Sequence, residues 1–263
     1  MRGLSIILKK RKAFEMCCQK AVIKDNNPYL CNMKQQIIGL LSLMTFFCVP
    51  VVGQTAQQWR DSLTVLNRQI AAAPDSMDLH LRKAAVNIEL GQWEYAADEY
   101  TLVLAKDARN PAARFYRAYT NAQLKRYDLA LFDYEELLRL TPAHYEARLG
   151  HAYVQQKMGR RMEALDELNL MVEMFPDSTT VYVARAGMEQ EMGQRELALY
   201  DWEQAERLDT MNADYVLSHA ELLIQLKRYD EARYVLDAAI GRGIPQGYFH
   251  QLYARLREER SKK

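Results

Sequence analysis

Residues 111–144 read PAARFYRAYTNAQLKRYDLALFDYEELLRLTPAH. Ala118 and Ala130 in this stretch belong to two series in which alanine returns every 34 residues along the chain. The first series is Ala84, Ala118, Ala152, Ala186, Ala220 and Ala254, and the second is Ala96, Ala130, Ala164, Ala198 and Ala232. A turn position between the two series holds Gly91, Lys125, Gly159, Gly193 and Lys227. The period therefore predicts two helices joined by a tight turn in each unit.

Small side chains at the two alanine positions have a physical reason. A methyl group at both facing positions lets two helix axes approach at the short end of the usual range of about 8–10 Å. Glycine suits the turn because the residue that closes the first helix commonly adopts the left-handed conformation, in which a side chain is unfavourable. Asn110-Pro111 has the order of a helix start, with a capping side chain followed by proline. The pattern predicts closely packed helical hairpins.

The repeat resembles the tetratricopeptide repeat family over nearly all of residues 54–260. The resemblance rests on a basic residue before the first alanine, and on an Asp before an aromatic residue in the second helix: Arg117-Ala118, Arg185-Ala186, Asp133-Tyr134 and Asp201-Trp202. It implies an all-α fold, a right-handed superhelical solenoid of stacked antiparallel helix pairs. The implied units are residues 77–110, 111–144, 145–178, 179–212 and 213–246. The chain departs from the family at Arg161 and Arg195, where an aromatic residue is preferred, and at Ala108, Thr210 and Ile244, where proline is preferred.

A helix at each end is expected to close the stack of residues 54–263. Apolar residues at helical spacing predict an N-terminal capping helix over residues 55–72: Trp59, Leu63, Leu66 and Ile70. Residues 247–260 are expected to form the C-terminal capping helix, with Tyr248, Leu252 and Leu256 facing inward. Polar outer faces on such terminal elements keep a solenoid soluble.

Residues 1–53 differ from the rest and are interpreted as a leader. The uncharged, largely apolar run Ile37–Val49 follows Lys34 and precedes Pro50, which is the order of an export signal, with cleavage expected after Gly53. Met33 would then be the true start of the protein. The expected location is the periplasm or the cell exterior. The alternative is an uncleaved segment, residues 37–53, that anchors the protein in a membrane.

Charge and cysteine content exclude several classes of function. Residues 1–53 hold eight of the 35 Lys and Arg residues and two of the 34 acids, which leaves 27 bases and 32 acids, a net charge of −5, from residue 54 onward. A nucleic-acid ligand is not expected, because phosphate binding needs a basic surface. All four cysteines precede residue 54, so the remaining chain offers no thiol nucleophile, disulfide or thiolate metal ligand.

The other motifs also argue against an enzyme. The five histidines form no His-x-x-x-His or His-Glu-x-x-His arrangement, and the chain has no Gly-x-Ser-x-Gly elbow and no glycine-rich phosphate loop. Carboxylates such as Glu189 and Glu191 are interpreted as solvated residues on helix faces. We therefore expect no catalytic activity, no cofactor and no metal.

Residues of opposite charge stand 16 positions apart in four units. The pairs are Lys83 with Glu99, Arg117 with Asp133, His151 with Glu167, and Arg185 with Asp201. We interpret them as ion pairs across each hairpin that fix its register, each worth about 0.2–1 kcal/mol if exposed. The alternative, in which the basic residues form an anion-binding stripe, requires that the pairs do not form.

The resemblance implies that the first helices line a concave surface that binds a peptide or helix of another protein. Aligning the family's inward-facing positions with this chain identifies the candidate contacts Tyr116, Tyr119, Tyr153, Gln123, Gln156 and Gln190. The apolar residues of the same surface are expected to pack between hairpins: Leu81, Phe115, Leu149, Val183 and Leu217. Tyrosine and amide side chains could also bind a carbohydrate, and this second hypothesis predicts a single pocket in place of a long groove.

Overall fold

The described part of the protein is entirely helical. A computed structural model of the protein describes residues 55–261. Within that range there is no β-strand, and the helices are α1 (Ala56–Ala72), α2 (Met77–Glu89), α3 (Trp93–Lys106), α4 (Pro111–Gln123), α5 (Tyr127–Leu140), α6 (Tyr145–Lys157), α7 (Arg161–Met174), α8 (Thr179–Glu191), α9 (Arg195–Leu208), α10 (Ala213–Gln225), α11 (Tyr229–Gly241) and α12 (His250–Ser261). The described residues divide into two units, 55–65 and 66–261. The five hairpins from α2 to α11 all belong to the second unit.

The second unit is a solenoid of helical hairpins. The two helices of each hairpin pack on each other, and the second helix of one hairpin packs on the first helix of the next. Ala118 and Ala130, which face each other inside the hairpin α4–α5, are both fully buried. The equivalent alanines of the other four hairpins are at most 3% exposed. The predicted all-α solenoid is therefore confirmed, and the alanine series marks the surfaces where the helices touch.

The turn inside each hairpin has the same geometry in all five repeats. The turn residue has a positive φ whether it is glycine or lysine: Gly91 68°, Lys125 60°, Gly159 78°, Gly193 78° and Lys227 61°. In each turn the following N–H bonds back to a carbonyl five residues earlier, as Arg126 N does to Asn121 O at 2.8 Å. This is the Schellman arrangement. Lysine therefore adopts the conformation that glycine adopts in the other turns.

Lys125→Gly is expected to raise the free energy of unfolding by about 1 kcal/mol, because a side chain is unfavourable in the left-handed conformation. Lys125 is exposed, so its removal loses little packing. Urea unfolding followed by circular dichroism would measure the change. The reverse substitution, Gly159→Lys, should lower stability by a similar amount. Equal midpoints for both variants and the parent protein would contradict this account of the turns.

Polar side chains cap the N-terminus of the first helix in each hairpin. The capping residues accept a hydrogen bond from the first turn and are Ser76, Asn110, His144, Ser178 and Asn212. The Asn110 cap predicted from the Asn-Pro pair is confirmed, with Asn110 Oδ1 accepting from Ala113 N at 2.9 Å. At His144 the ring nitrogen Nδ1 has the same role, 3.3 Å from Ala147 N. Each first helix therefore begins at a residue that the chain specifies locally.

Large side chains fill the hairpin interfaces beyond the alanines. Tyr134 of α5 is almost fully buried, and its ring packs against the backbone of α6 at Gly150. A Cβ atom at Gly150 would stand 2.3 Å from Tyr134 Cζ, which is far inside van der Waals contact. The absence of a side chain at Gly150 is therefore what allows this ring to enter the interface.

The C-terminal end differs from the prediction at one residue. Tyr248 was expected to face inward, but its side chain is 61% exposed, whereas Leu252 and Leu256 are buried as expected. A short 3-10 helix, Gln246–Phe249, precedes α12 and changes which side chains point to the core. Phe249 is fully buried in the place expected for Tyr248. The 3-10 helix has three residues per turn and not 3.6, so the helical spacing used in the prediction does not hold there.

Candidate partner-binding face

A basic residue of the first helix contacts an acid of the second helix in four hairpins, and we call these contacts the cross-hairpin pairs. The contact of His151 with Glu167 is an ion pair only when His151 is protonated. Their shortest N–O distances are Lys83–Glu99 2.6 Å, Arg117–Asp133 2.8 Å, His151–Glu167 3.4 Å and Arg185–Asp201 2.7 Å. Arg117 donates from both Nε and Nη2 to the two oxygens of Asp133, and Arg185 does the same to Asp201. Such bidentate contacts are the stronger form of ion pair. The four pairs predicted from the sequence are confirmed.

A second set of basic residues, which the sequence prediction did not include, contacts the same acids. Arg114 Nη1 lies 3.4 Å from Asp133 Oδ1. The equivalent contacts in the neighbouring repeats are His80 with Glu99 at 2.5 Å and Arg148 with Glu167 at 2.5 Å. The sequence contains a signal for these contacts, because His80, Arg114 and Arg148 also stand 34 residues apart. Each of the three acids therefore holds two basic side chains of the first helix.

Two arginines of the cross-hairpin pairs also contact the preceding repeat. Arg117 Nη1 donates to Thr101 Oγ1 of α3 at 3.3 Å, and Arg185 Nη1 donates to Asn169 Oδ1 of α7 at 3.0 Å. Each arginine therefore connects three helices. Since these side chains are held on both sides by acceptors, the basic series does not form an anion-binding stripe.

The fifth hairpin is connected differently, because Val235 replaces the acid of the other repeats. His219 Nδ1 instead lies 2.9 Å from Glu206 Oε2 of α9. Arg242, which follows α11, donates from Nη2 to Glu206 Oε1 at 2.6 Å. Although burial opposes ionisation, the hydrogen bonds with His219 and Arg242 hold the pKa of Glu206 below its usual value. Both helices of the last hairpin are thus bound to one carboxylate of the preceding hairpin.

Two predicted contact residues, Tyr116 and Tyr119, lie on α4 and are largely covered by α3. The ring of Tyr116 is half-buried and stacks on Tyr100, with centroids 5.8 Å apart and an interplanar angle of 15°. Tyr119 is only 8% exposed and meets the ring of Trp93 edge-on at 6.0 Å. Both rings therefore pack between hairpins, and little of Tyr119 remains for a partner to touch.

Two further candidates, Tyr153 and Gln156, lie on the next first helix, α6. Both side chains are half-buried, and Lys157 Nζ lies 5.1 Å from the centroid of the Tyr153 ring. Gln156 Nε2 donates to Glu191 Oε2 of α8 at 2.7 Å. This hydrogen bond connects the first helices of two successive repeats, which shows that these helices lie side by side. Part of each of these two side chains therefore remains exposed to a partner.

The remaining two candidates, Gln123 and Gln190, are also half-buried. Gln190 Oε1 accepts a hydrogen bond from Trp202 Nε1 at 3.3 Å, so its carbonyl points to the interior of its own hairpin. The six candidates therefore lie along three successive first helices, with different degrees of burial. The apolar residues Phe115 and Leu149 are buried, as expected for residues that pack between hairpins.

Two open cavities lie near the C-terminal repeats, with volumes of about 470 and 430 Å³. The first is lined by residues that include Asp209, Asn212, Asp214 and Tyr248, and the second by residues that include Arg195, Lys227, Arg255 and Glu259. None of the six candidate residues lines either cavity. Neither cavity is therefore formed by the groove tyrosines on which the carbohydrate hypothesis rests, although the first cavity brings Tyr248 together with Asp209 and Asn212.

The part of the chain that the structure describes shows neither a metal-binding cluster nor a membrane-spanning helix. Residues 55–261 contain no group of three or more His, Cys, Asp or Glu side chains positioned to hold a metal ion. No helix in that range is long and apolar enough to cross a membrane. The predicted export signal, the start at Met33 and the possible anchor over residues 37–53 lie outside the described residues.

Glu189 departs from the prediction that it is a solvated surface residue. Its side chain is buried, 5% exposed, and Oε2 has no hydrogen-bond partner among the described residues. Equivalent positions in the first three repeats hold buried amides, Asn87, Asn121 and Gln155. Burial and the nearby charge of Asp201 raise the pKa of Glu189 to about 7, and Arg185 only partly offsets this. A carboxyl group thus occupies a position where the other repeats hold a neutral side chain.

The parent protein is expected to lose stability as pH rises, because of Glu189. The variant Glu189→Gln should not show this loss. The folded-state pKa of about 7 lies above the ordinary value of 4.5, so the folded protein binds the proton more tightly. The contribution of Glu189 is therefore greatest below pH 4.5 and is lost as pH rises through 7. Urea unfolding at about pH 5 and about pH 8 should show a difference on the order of 2 kcal/mol that is absent in the variant.

Glu191→Gln is the matched control, because Glu191 is exposed and lies on the same helix. It should keep the pH dependence of the parent protein. An identical pH dependence in the parent protein and in Glu189→Gln would contradict the assignment of this titration to Glu189.

Comparison with known families identifies the repeat. A family model described as Tetratricopeptide repeat matches residues 88–145 and 188–247. The protein is a tetratricopeptide repeat protein. The predicted resemblance is confirmed, and the departures at Ala108, Thr210 and Ile244 do not alter it. No curated protein matches the sequence of this tetratricopeptide repeat protein.

Solved tetratricopeptide repeat structures show the same fold. A tetratricopeptide repeat protein from Parabacteroides merdae ATCC 43184 matches with a TM-score of 0.56 and 20% identity, covering 76% of this chain and 78% of that chain. YrrB, described as a TPR protein with an unusual peptide-binding site, matches with a TM-score of 0.54 and 18% identity, over 72% and 97% of the two chains. MamA from Desulfovibrio magneticus RS-1 matches with a TM-score of 0.56 and 18% identity, over 63% and 93%. At these identities the likeness concerns the fold.

Proposed function

We propose that the protein is a non-catalytic scaffold of the cell envelope that binds a peptide or helix of another protein on the face formed by its first helices. The observation that carries the proposal is the side-by-side arrangement of those helices, marked by the hydrogen bond from Gln156 to Glu191. It creates an extended surface on which Tyr153 and Gln156 are accessible. A tyrosine ring and a side-chain amide suit a polar protein interface.

Two further points support this proposal. The fold is that of protein-interaction scaffolds, and YrrB, which shares it, is described as having a peptide-binding site. The five hairpins occupy residues 77–241, and the cross-hairpin pairs use the basic side chains of the first helices for structure. These basic side chains are therefore engaged in structural contacts, which favours a scaffold over a catalyst.

The envelope location rests on residues 1–53. An apolar run behind Lys34 supports export, with cleavage after Gly53 and a product in the periplasm or outside the cell. Mass spectrometry of the protein from its own organism would test this by locating the N-terminus. A terminus at Gln54 supports export with cleavage, whereas retention of residues 37–53 in a membrane fraction would favour the anchored alternative.

The binding function can be tested with the parent protein and two variants. Affinity capture from envelope extract should recover a protein partner, and the double variant Tyr153→Ala with Gln156→Ala should lose it. Tyr248→Ala is the matched control, because Tyr248 is exposed and lies outside the first helices. Circular dichroism should confirm that all three proteins remain helical. Capture of envelope polysaccharide without a protein would overturn the proposal in favour of a carbohydrate-binding function.

A further inference from the structure

The second helices carry most of the large apolar side chains that are exposed in residues 55–261. Six of them occupy two equivalent positions of the repeat, and we call the surface they form the second-helix face: Tyr95, Leu129, Phe132, Leu197, Tyr200 and Tyr234. Their exposed fractions range from 53% for Phe132 to 75% for Tyr234. In the first helices of the five hairpins, Met77 is the only large apolar side chain that is exposed. Exposed apolar surface of this kind commonly marks an interaction site.

The second-helix face is divided into two apolar patches. The N-terminal patch is formed by Tyr95, Leu129 and Phe132, and the C-terminal patch by Leu197, Tyr200 and Tyr234. At the same two positions of the middle repeat the chain has Glu163 and Asp166, both exposed. Two apolar patches therefore flank a centre that holds these two carboxylates and the exposed side chain of Met162. The facing edges of the two patches, at Phe132 and Tyr200, are two hairpins apart, which corresponds to a distance on the order of 20 Å.

The charge of this face determines which kind of partner fits it. Glu163 and Asp166 have no basic group within salt-bridge distance among the described residues, and neither has Asp128 beside the N-terminal patch. Glu94 and Glu196 are paired only with exposed arginines of the hairpin turns, at 3.8 and 3.1 Å. A second copy of this chain would place carboxylates against carboxylates. A partner with basic residues between two apolar segments would instead be complementary.

We propose that the second-helix face is a docking surface for an amphipathic helix of another protein. In this arrangement the apolar side chains of the partner helix contact the two patches, and its Lys or Arg side chains lie over Glu163 and Asp166. A helix of about 18 residues is about 27 Å long, which is enough to contact the facing edges of both patches, from Phe132 to Tyr200. This surface is separate from the face formed by the first helices, so the protein would hold two partners at once.

Designed peptides test the proposal on the full chain. The probe is a fluorescent helical peptide of about 18 residues with leucines on one face and lysines at its centre. The first comparison peptide replaces lysine with glutamate, and the second replaces leucine with serine. Fluorescence anisotropy should show that the Leu–Lys peptide binds roughly tenfold more tightly than either. Added salt should weaken its binding.

Three double variants locate the binding. Phe132→Ser with Tyr200→Ser should weaken the Leu–Lys peptide roughly tenfold, and Glu163→Lys with Asp166→Lys should shift the preference to the Leu–Glu peptide. Tyr153→Ala with Gln156→Ala should leave the binding unchanged, which separates this surface from the first-helix face. Circular dichroism should show that all the variants are folded, since the first four side chains are exposed.

Two results would overturn the inference. The first is a Leu–Lys affinity that is the same for the parent protein and the Phe132→Ser, Tyr200→Ser variant. The second is self-association of the parent protein in sedimentation velocity that this variant abolishes, which would make a second copy of the chain the occupant. Neither result would bear on binding at the first helices.

Discussion

Replacing Asp133 with asparagine is expected to lower the free energy of unfolding by about 3 kcal/mol. Asp133 is 1% exposed and accepts hydrogen bonds from Arg117 Nε and Nη2, both at 2.8 Å, and from Arg114 Nη1 at 3.4 Å. Asparagine has nearly the same shape, so the substitution removes the negative charge with little change in packing. Two guanidinium groups then remain largely buried without a counter-charge. Leaving a buried charge unpaired is the costly part of breaking such a pair.

Asp128→Asn is the matched control for Asp133→Asn, because Asp128 is exposed on the same helix. It should change stability by less than about 0.5 kcal/mol. Urea unfolding monitored by circular dichroism would compare the two variants with the parent protein. Similar midpoints for Asp133→Asn and Asp128→Asn would show that the cross-hairpin pair fixes register without contributing to stability.

Gly150→Ala is expected to destabilise the protein by about 3 kcal/mol, even though alanine is the better helix former. The new methyl group would be 2.3 Å from Tyr134 Cζ and 2.5 Å from its hydroxyl oxygen. Tyr134 is 1% exposed and cannot turn into solvent without leaving the interface between α5 and α6. The clash therefore has to be relieved by separating the two helices, which exceeds the gain of about 1 kcal/mol in helix propensity.

Gly241→Ala is the control, because no atom lies within 4 Å of the position that its Cβ would occupy. This variant should be as stable as the parent protein or slightly more stable. Combining Gly150→Ala with Tyr134→Leu should recover part of the lost stability by making room for the methyl group. A melting temperature of Gly150→Ala at or above that of the parent protein would contradict the predicted clash.

The fold could be predicted because its determinants recur at one spacing. A buried residue such as Ala118 tolerates little beyond a methyl group, so the same residue type returns in every repeat. The cross-hairpin pairs were predictable for a similar reason, since both partners keep their positions in the repeat. The turn at Lys125 could be predicted only from the periodicity, because lysine is not a typical turn residue. Lys125 nevertheless adopts the left-handed conformation that glycine adopts in the other turns.

The candidate contact residues were harder to predict, because exposure depends on neighbours that differ from repeat to repeat. Tyr119 is covered by Trp93, and the equivalent Tyr153 is half-exposed. Glu189 was interpreted as a surface residue from its type, although the buried amides at equivalent positions could have indicated burial. A buried carboxylate is uncommon, so residue type alone gave the wrong expectation there.

The connection of the last hairpin through Glu206 has a consequence for amide hydrogen exchange. His219 of α10 and Arg242 after α11 contact the two oxygens of this one carboxylate of α9. Detaching either helix would leave Glu206, which is largely buried, with only half of its positive partners. Fraying from the C-terminal side therefore does not stop between the two helices. Their slowest amides should exchange at a common rate, as a single opening unit.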